Sequence, residues 1–187
     1  MMHGRELAKF AREKVREALG AGLVRPPEGE GFDAPGATFV TVKWPDGRLQ
    51  GCIGSLEPRR AIVRDVAHNA LAATFDDPRA SPIALDDVDD LDFELSILSP
   101  LERVPCETEA DVACGVQVGK HGVLLVWKSH RATYLPAMWE HFRDVPELLA
   151  SLKEKAGLPR TFWAPDVEIY RYTVEKHVDP GERSRPS

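Results

Sequence analysis

One succession of local patterns, a β-hairpin followed by a helix and a closing strand, occurs twice in this 187-residue chain. In the first half, the turn Pro45-Asp46-Gly47 separates two strand-like segments, Thr38 to Trp44 and Arg48 to Gly54. A helix is predicted from Pro58 to about Phe75, because proline is favoured at the first helical position. Leu91 to Leu98 then alternates apolar and polar residues, as a half-buried strand does.

The second half repeats this order without detectable sequence identity. Gly115 to Val118 and Val123 to Trp127 flank a glycine-containing turn and predict another hairpin. Helix starts are predicted at Pro136 and Pro146, and Val167 to Val174 predicts the closing strand. We therefore expect the two halves of the chain to share one arrangement of hairpin, helix and strand.

Three further segments lie outside this repeated order. Arg5 to Leu19 carries an apolar stripe at helical spacing and ends at Gly20, so it predicts an amphipathic helix. Residues 25–36 are rich in proline, glycine and acidic side chains and predict a surface loop. The length fits one domain, for which we predict the bounds 1–177, followed by a frayed tail over 178–187.

Charge and composition exclude several classes of function. The chain has 24 basic and 30 acidic side chains, and a net charge of -6 disfavours non-specific binding to a nucleic-acid backbone. No apolar run approaches the roughly 18 residues that a membrane span requires, and the first residues do not resemble a signal peptide. Three cysteines without a C-x-x-C pair fit a reducing compartment. We expect a soluble, cytoplasmic protein without a membrane partner.

The segment Leu49 to Ser55 is the strongest candidate for a chemical site. Strand alternation puts Leu49 and Ile53 on one face and Cys52 on the other. If the two apolar side chains enter the core, the thiol points away from it. Glycine weakens a strand unless a ligand or another backbone approaches closely, and Cys52 lies between Gly51 and Gly54. This predicts an accessible thiol on a stretch of backbone that side chains do not cover.

The predicted helix start at Pro58 adds an electrostatic argument. The first turn of a helix favours negative charge, and Arg48, Arg59 and Arg60 could add to the effect. Such surroundings lower the pKa of a thiol, so Cys52 is the candidate nucleophile. The alternative is that Cys52 fills space as a small hydrophobic residue, which is the more common role of a free cysteine.

Other candidate groups lie on neighbouring elements. If the polar face of the strand Leu91 to Leu98 lines the same site, Glu94 is a candidate acid or base and Ser96 a hydrogen-bond donor. His68 could serve as a base for Cys52. For each of these side chains the alternative is an ordinary solvated position.

The remaining titratable residues suggest no further chemistry. Cys106 and Cys114 are predicted to be buried space-filling residues. The six histidines lack the spacing of a metal site, so we predict no metal and no cofactor. Phosphate-binding glycine fingerprints are also absent from the sequence.

The chain resembles the AMMECR domain family, whose bacterial members are called AmmeMemoRadiSam system protein A. The most specific element is the family's L-R-G-C-I-G signature, present here as Leu49 to Gly54 with Gln50 in the place of the arginine. The resemblance extends over roughly residues 5–176. Its supporting segments are AATFDDPRASP at 72–82, FELSILSP at 93–100, GVLL at 122–125, YLP at 134–136 and LKEKAGL at 152–158.

The resemblance implies an α+β fold. In that fold a duplicated β-β-β-α-α-β unit surrounds one curved, barrel-like sheet, and the signature lies in a cleft between two lobes. It implies no settled biochemical activity. It does imply an association with a Memo-like protein and a radical-SAM protein, and so a shared modification or small-molecule pathway.

Two hypotheses about function follow. The first is an enzyme or enzyme component that binds a small polar or anionic ligand around the signature, with Cys52 as nucleophile or thiol relay and Glu94 moving protons. If the family's arginine clamps an anion, Gln50 cannot replace its charge, although Arg48 could. The second is a non-catalytic binding or adaptor module. The predicted ligand-binding residues are Arg48, Gln50, Gly51, Ile53, Gly54, Ser55 and Ser96.

Overall fold

Helices and antiparallel strands alternate through residues 3–182, the part of the chain that the computed structural model describes. The α-helices are α1 His3–Ala18, α2 Ile62–Phe75, α3 Glu109–Gly115 and α4 Val145–Lys155. The strands are β1 Pro35–Gly36, β2 Thr38–Lys43, β3 Leu49–Gly54, β4 Arg60–Ala61, β5 Asp92–Leu98, β6 Glu102–Val104, β7 Gly122–Trp127, β8 His130–Tyr134, β9 Glu168–Tyr172 and β10 Val174–Asp179. Short 3₁₀ helices occupy Leu85–Asp89 and Pro136–His141. This content confirms the α+β class.

The chain divides into two units. Unit 1 consists of residues up to Leu98 together with the segment from Glu175 onward, and unit 2 consists of Ser99–Val174. Each unit has a hydrophobic core made of its own residues. No helix within residues 3–182 is long and apolar enough to cross a membrane.

Unit 1 is a four-stranded sheet in the order β10-β5-β2-β3, with α1 and α2 on one of its faces. The strands alternate as the sequence predicts, so Val40, Val42, Phe93 and Leu95 are fully buried in the core. The α1 helix packs one apolar stripe into this core and ends before Gly20, whose φ of 98° favours glycine. A two-stranded sheet of β1 and β4 completes the unit.

Unit 2 repeats the arrangement as a sheet in the order β6-β9-β7-β8. The core of this unit contains Leu125, Leu148 and Ile169 from β7, α4 and β9. The first hairpin strand pairs with the closing strand in both units, β2 with β5 and β7 with β9. The predicted repeat of hairpin, helix and strand is therefore present in the structure.

Two predicted boundaries are wrong. Pro58 does not begin a helix, because Arg60–Ala61 pairs with Pro35–Gly36 as strand β4 and α2 begins only at Ile62. The second hairpin consists of β7 and β8 rather than residues 115–118 and 123–127. Its turn has Lys128 at φ 54°, and lysine gives no turn signal in the sequence.

Two other helix predictions have different outcomes. Pro136 begins a 3₁₀ helix rather than an α-helix. Pro146 lies in the first turn of α4 as predicted, and the side chain of Asp144 caps that helix by accepting a hydrogen bond from the Glu147 N–H at 2.9 Å. Residues 25–36 form a loop as expected, except that Phe32 is buried and Pro35–Gly36 is a strand.

The expected frayed tail is wrong for residues 178–182. Strand β10 continues to Asp179, which accepts hydrogen bonds from Arg12 on α1. Gly181 is buried, and its N–H donates to Asp92 Oδ1 at 2.7 Å. The rest of the predicted tail, 183–187, lies outside the described residues.

The sheet architecture differs in one respect from the resemblance. The strands within residues 3–182 form one two-stranded and two four-stranded sheets rather than a single sheet. The barrel-like closure, the cleft between lobes and the single domain over 1–177 stay predictions.

Candidate functional site

Cys52 lies on the face of the unit 1 sheet opposite the helices. It pairs with Thr41 on β2, which in turn pairs with Glu94 on β5. Residues directly opposite one another on neighbouring antiparallel strands point to the same face, so these three side chains form a row. Cys52 is half-buried on this face and is not one of the buried residues of the unit 1 core.

Two polar contacts fix Cys52 in place. Its Sγ accepts a hydrogen bond from Thr41 Oγ1 at 3.1 Å. Its backbone N–H faces the open edge of β3 and donates to Asp77 Oδ2 at 2.9 Å. An edge strand leaves N–H groups unpaired, and Asp77 satisfies the one that belongs to Cys52.

Asp77 also holds an arginine beside the thiol. Its carboxylate is 4% exposed and accepts from Arg79 Nε at 2.8 Å and from Nη2 at 2.7 Å. The hydrogen bond from Arg79 holds the pKa of Asp77 far below its usual range, against the opposing effect of burial. The same bond raises the pKa of Arg79, and the charge of the Cys52 thiolate contributes to that rise.

Sequence reasoning missed this pair. Asp77 and Arg79 follow the C-terminal end of α2, in a segment that supports the family resemblance. The signal available was an Asp-Pro-Arg turn directly after a helix, placed so that its side chains can reach back to a neighbouring strand.

Both glycines of the signature have structural explanations. A Cβ on Gly51 would lie 1.9 Å from the Ala73 carbonyl oxygen, so the backbone of α2 occupies that space. A Cβ on Gly54 would lie 2.1 Å from the ring of Phe39. The strand backbone that was expected to be uncovered is therefore covered by α2 at Gly51 and by the Phe39 ring at Gly54.

Gln50 is fully buried and does not face a ligand. Its Nε2 donates to the carbonyls of Thr74 and Ser81 at 3.1 and 2.7 Å. Its Oε1 accepts from Trp44 Nε1 at 2.9 Å and from Ser81 Oγ at 3.0 Å. An amide has two donors and one oxygen that accepts two bonds, so all its capacity is used. The predicted ligand-binding role of Gln50 does not fit this environment.

Ile53 and Ser55 also make internal contacts. Ile53 packs against the unit 1 core, as its face predicts. Ser55 Oγ donates to Asp65 Oδ1 at 2.9 Å, and the other oxygen of this buried carboxylate accepts from Thr38 and Asn69. Ser55 therefore ties the end of β3 to α2.

Glu94 lies two strands away from Cys52, with Thr41 between them. Its carboxylate contacts Lys43 Nζ at 3.0 Å and Lys176 Nζ at 2.7 Å. Burial acts to raise the pKa of Glu94, but Lys176 and Lys43 outweigh it and the pKa is lowered. Glu94 is thus an ionised partner of two lysines, which does not suit a general acid. Ser96 pairs with Phe39 and lies two residues beyond Glu94 on the same face of β5.

The groups that were predicted to act electrostatically on Cys52 are engaged elsewhere. The three arginines considered have other partners: Arg48 stacks on Trp44 at 4.6 Å, Arg59 pairs with Glu57 and Arg60 pairs with Asp65. The end of α2 that approaches β3 is its C-terminal end, marked by the Ala73 and Thr74 carbonyls. The cation near the thiol is instead Arg79. His68 is exposed on α2, which covers the opposite face of the sheet.

The other two cysteines differ from one another. Cys106 is half-buried beside the unit 2 core, and burial raises the pKa of its thiol. Cys114 is exposed near the end of α3, so its predicted burial is wrong. Within residues 3–182, no group of three or more His, Cys, Asp or Glu side chains could hold a metal ion.

Comparisons with known proteins identify the family of the chain. The chain is 38% identical to a protein of Thermotoga maritima over 159 residues, which cover 83% of this chain and 86% of that protein. It is 33% identical to a protein of Methanothermobacter thermautotrophicus, with 95% of both chains covered. The crystal structure of an uncharacterized protein of Pyrococcus horikoshii, PH0010, matches with a TM-score of 0.85 and 28% identity, covering 97% of this chain and 94% of that one. The AMMECR1 family model matches residues 8–177, and the chain belongs to the AMMECR1 family.

Proposed function

We propose that this protein binds a small polar or anionic ligand at Cys52 and acts there as an enzyme or enzyme component. In this proposal the Cys52 thiol is the nucleophile or relay. The observation that carries it is the half-buried Cys52, whose Sγ accepts a hydrogen bond from Thr41 and whose N–H donates to the same Asp77 oxygen as the Arg79 guanidinium.

The surroundings of Cys52 support thiol chemistry. A hydroxyl that donates to sulfur and a neighbouring guanidinium both stabilise negative charge on that sulfur, and the thiolate is the reactive form. The C-terminal end of α2 acts in the opposite direction, because its carbonyls carry partial negative charge. Gln50 Nε2 offsets part of this effect by donating to the Thr74 carbonyl.

Glu94 does not take part in proton transfer in this proposal. It is paired with two lysines and is separated from Cys52 by Thr41, which does not suit its predicted role as an acid or base. A catalytic thiol without a base needs the ligand or water to exchange its proton.

One observation favours the alternative, a non-catalytic binding or adaptor module that acts with Memo-like and radical-SAM proteins. Within residues 3–182, the hydrogen-bond partner of Cys52 Sγ is a threonine and not a histidine or a carboxylate. In that case the same face would receive a ligand or a partner, and Cys52 would contribute shape rather than reactivity.

Acylation by p-nitrophenyl acetate separates the two functions. The thiolate attacks the ester carbonyl carbon, the ester C–O bond breaks, p-nitrophenolate leaves and a thioester forms on sulfur. We expect a burst of one equivalent of p-nitrophenolate, with the acetyl group located on Cys52 by peptide mass spectrometry. The exposed Cys114 is the internal reference thiol in the same sample.

The outcomes are distinct. A burst that Cys52→Ser abolishes while the protein stays folded supports the nucleophile. Hydrolysis of the thioester over many turnovers supports an enzyme in its own right. Acylation of Cys52 no faster than that of Cys114 would reject the thiol mechanism and leave the binding module.

A further inference from the structure

Arg79 presents an open hydrogen-bonding edge beside Cys52. Its guanidinium has five N–H donors, and Asp77 accepts from Nε and from Nη2 along one edge. The other edge, formed by Nη1 and the remaining N–H of Nη2, has no hydrogen-bond partner among residues 3–182. The Arg79 side chain is 59% exposed, so this second edge can receive a ligand.

Asp77 fixes the position of that edge relative to the thiol. Its Oδ2 accepts both from the Cys52 N–H at 2.9 Å and from Arg79 Nη2 at 2.7 Å. Its Oδ1 accepts from the N–H and Nε of Arg79 at 2.9 and 2.8 Å. Four donors therefore occupy the two oxygens, and an approaching anion meets the outer N–H groups of Arg79.

We infer that Arg79 binds the anionic end of the ligand, a carboxylate or phosphate, and places the adjoining carbon or phosphorus atom near Cys52 Sγ. This inference rests on the proposed function. A guanidinium edge matches two oxyanion oxygens and forms two parallel charge-assisted hydrogen bonds with them. Asp77 does not touch the ligand and is the positioning residue.

The assignment also resolves the departure from the family signature. Gln50 occupies the arginine's position but is fully buried and donates to carbonyls at the end of α2. The binding of an oxyanion at Cys52 therefore does not depend on a charge at position 50. The charge that recognises it comes from Arg79 in the turn after α2, 29 positions beyond Gln50.

The test compares two alkylating reagents that differ in charge. Iodoacetate carries a carboxylate next to its reactive carbon, whereas iodoacetamide is neutral. In both reactions the thiolate attacks that carbon, the carbon–iodine bond breaks and iodide leaves. Peptide mass spectrometry gives the iodoacetate-to-iodoacetamide rate ratio for Cys52, with the exposed Cys114 as the reference thiol.

We expect the ratio at Cys52 to exceed the ratio at Cys114 by about tenfold, the scale of a charge-assisted bidentate contact. Arg79→Gln should lower the Cys52 ratio to that of Cys114. Any fall in thiolate reactivity through loss of the nearby positive charge affects both reagents and cancels in the ratio. Arg79→Lys should restore part of the ratio, because it keeps the charge and loses the planar edge. Asp77→Asn should lower the ratio as well.

Arg59→Gln is the matched control, because Arg59 is an exposed arginine of the same unit that pairs with Glu57. It should leave both rates unchanged. Equal ratios at Cys52 and Cys114 in the unmodified protein, or a high ratio that survives Arg79→Gln, would overturn the inference and leave the thiol site intact. If Cys52 reacts with neither reagent, the proposed function itself fails.

Discussion

At the scale of single residues, the signature segment combines one chemical group with several packing constraints. Cys52 is half-buried, whereas Gln50 and Gly51 are buried against the C-terminal end of α2. The backbone of β3 approaches the helix so closely that only glycine fits at position 51. Much of the sequence pattern around the cysteine therefore serves to dock β3 on α2.

Gly51→Ala should be strongly destabilising. The added methyl group would lie 1.9 Å from a backbone oxygen, which cannot move without displacing α2. Overpacking of this kind costs about 3 kcal/mol or more in the free energy of unfolding. Gly54→Ala should cost less, because its obstacle is the movable ring of Phe39. Chemical denaturation of both variants checks the order, and equal costs would contradict it.

Gln50→Ala should destabilise by about 2 to 4 kcal/mol. The change leaves the Trp44 indole N–H and the carbonyls of Thr74 and Ser81 without their side-chain partner, and unsatisfied buried groups are costly. Arg48→Ala, a change at an exposed neighbour, should cost under about 0.5 kcal/mol. Urea unfolding curves measure the difference, and a Gln50→Ala cost as small as the control's would argue against a structural role.

Strand alternation was enough to predict that Cys52 points away from the core, since it depends only on which neighbours are apolar. The partners of Cys52 could not be predicted. Asp77 and Arg79 reach β3 from a turn after α2, and their approach depends on how the helix lies across the sheet. Gln50 shares the alternation of Cys52 in the sequence, but the strand register shifts between Val42 and Lys43 and pairs Lys43 with Leu49 instead. Gln50 is therefore enclosed by α2 and the turn containing Ser81.

At the scale of elements, charged side chains connect three strands of the unit 1 sheet. Glu94 on β5 contacts Lys43 on β2 and Lys176 on β10, and its carboxyl group is 18% exposed. Strand β10 arrives from the end of the chain, so the Glu94–Lys176 pair joins the segment after Val174 to the rest of unit 1. Glu94 is therefore best explained as a connector of strands.

The stabilising effect of Glu94 should depend on pH. Because its pKa is lowered in the folded state, its contribution is complete above the unfolded value of about 4.5 and is lost as the pH falls below it. Glu94→Gln should cost about 1 to 2 kcal/mol at pH 7 and progressively less between pH 4.5 and 3. The control is Glu28→Gln, at an exposed loop position. A cost for Glu94→Gln that does not change with pH would contradict the assignment.

Most elements could be predicted from periodicity, but their starts depended on contacts that are distant in sequence. The prediction of a helix from Pro58 was reasonable locally, yet Arg60–Ala61 pairs with Pro35–Gly36 and delays α2 to Ile62. In the second half, the turn at Lys128 is held in a left-handed conformation that is uncommon for lysine. The sequence pattern therefore predicts the second hairpin one strand earlier than its position in the structure.

At the scale of the whole molecule, two similar units differ in how the chain builds them. Unit 2 is continuous over Ser99–Val174, whereas unit 1 is completed by a segment that begins at Glu175. The repeated order could be predicted because it consists of local patterns. The return of β10 could not, since it pairs segments about 80 residues apart and its side chains show no regular alternation of burial.

Ending the chain at Val174 should destabilise unit 1 selectively. The truncation removes β10, the partners of Arg12 at Asp179 and the Gly181 N–H bond to Asp92. Amide hydrogen exchange in β2 and β5 should then accelerate by about 100-fold or more, as expected when a cooperative unit loses several kcal/mol. Exchange in β7 and β9 should change far less, because the core of unit 2 consists of its own residues.

The single variant Arg12→Met should also accelerate amide exchange in unit 1, by a smaller factor than the truncation does. An equal loss of protection in both units would show that they unfold together, and unchanged exchange in β5 would show that the returning segment contributes little to the stability of unit 1.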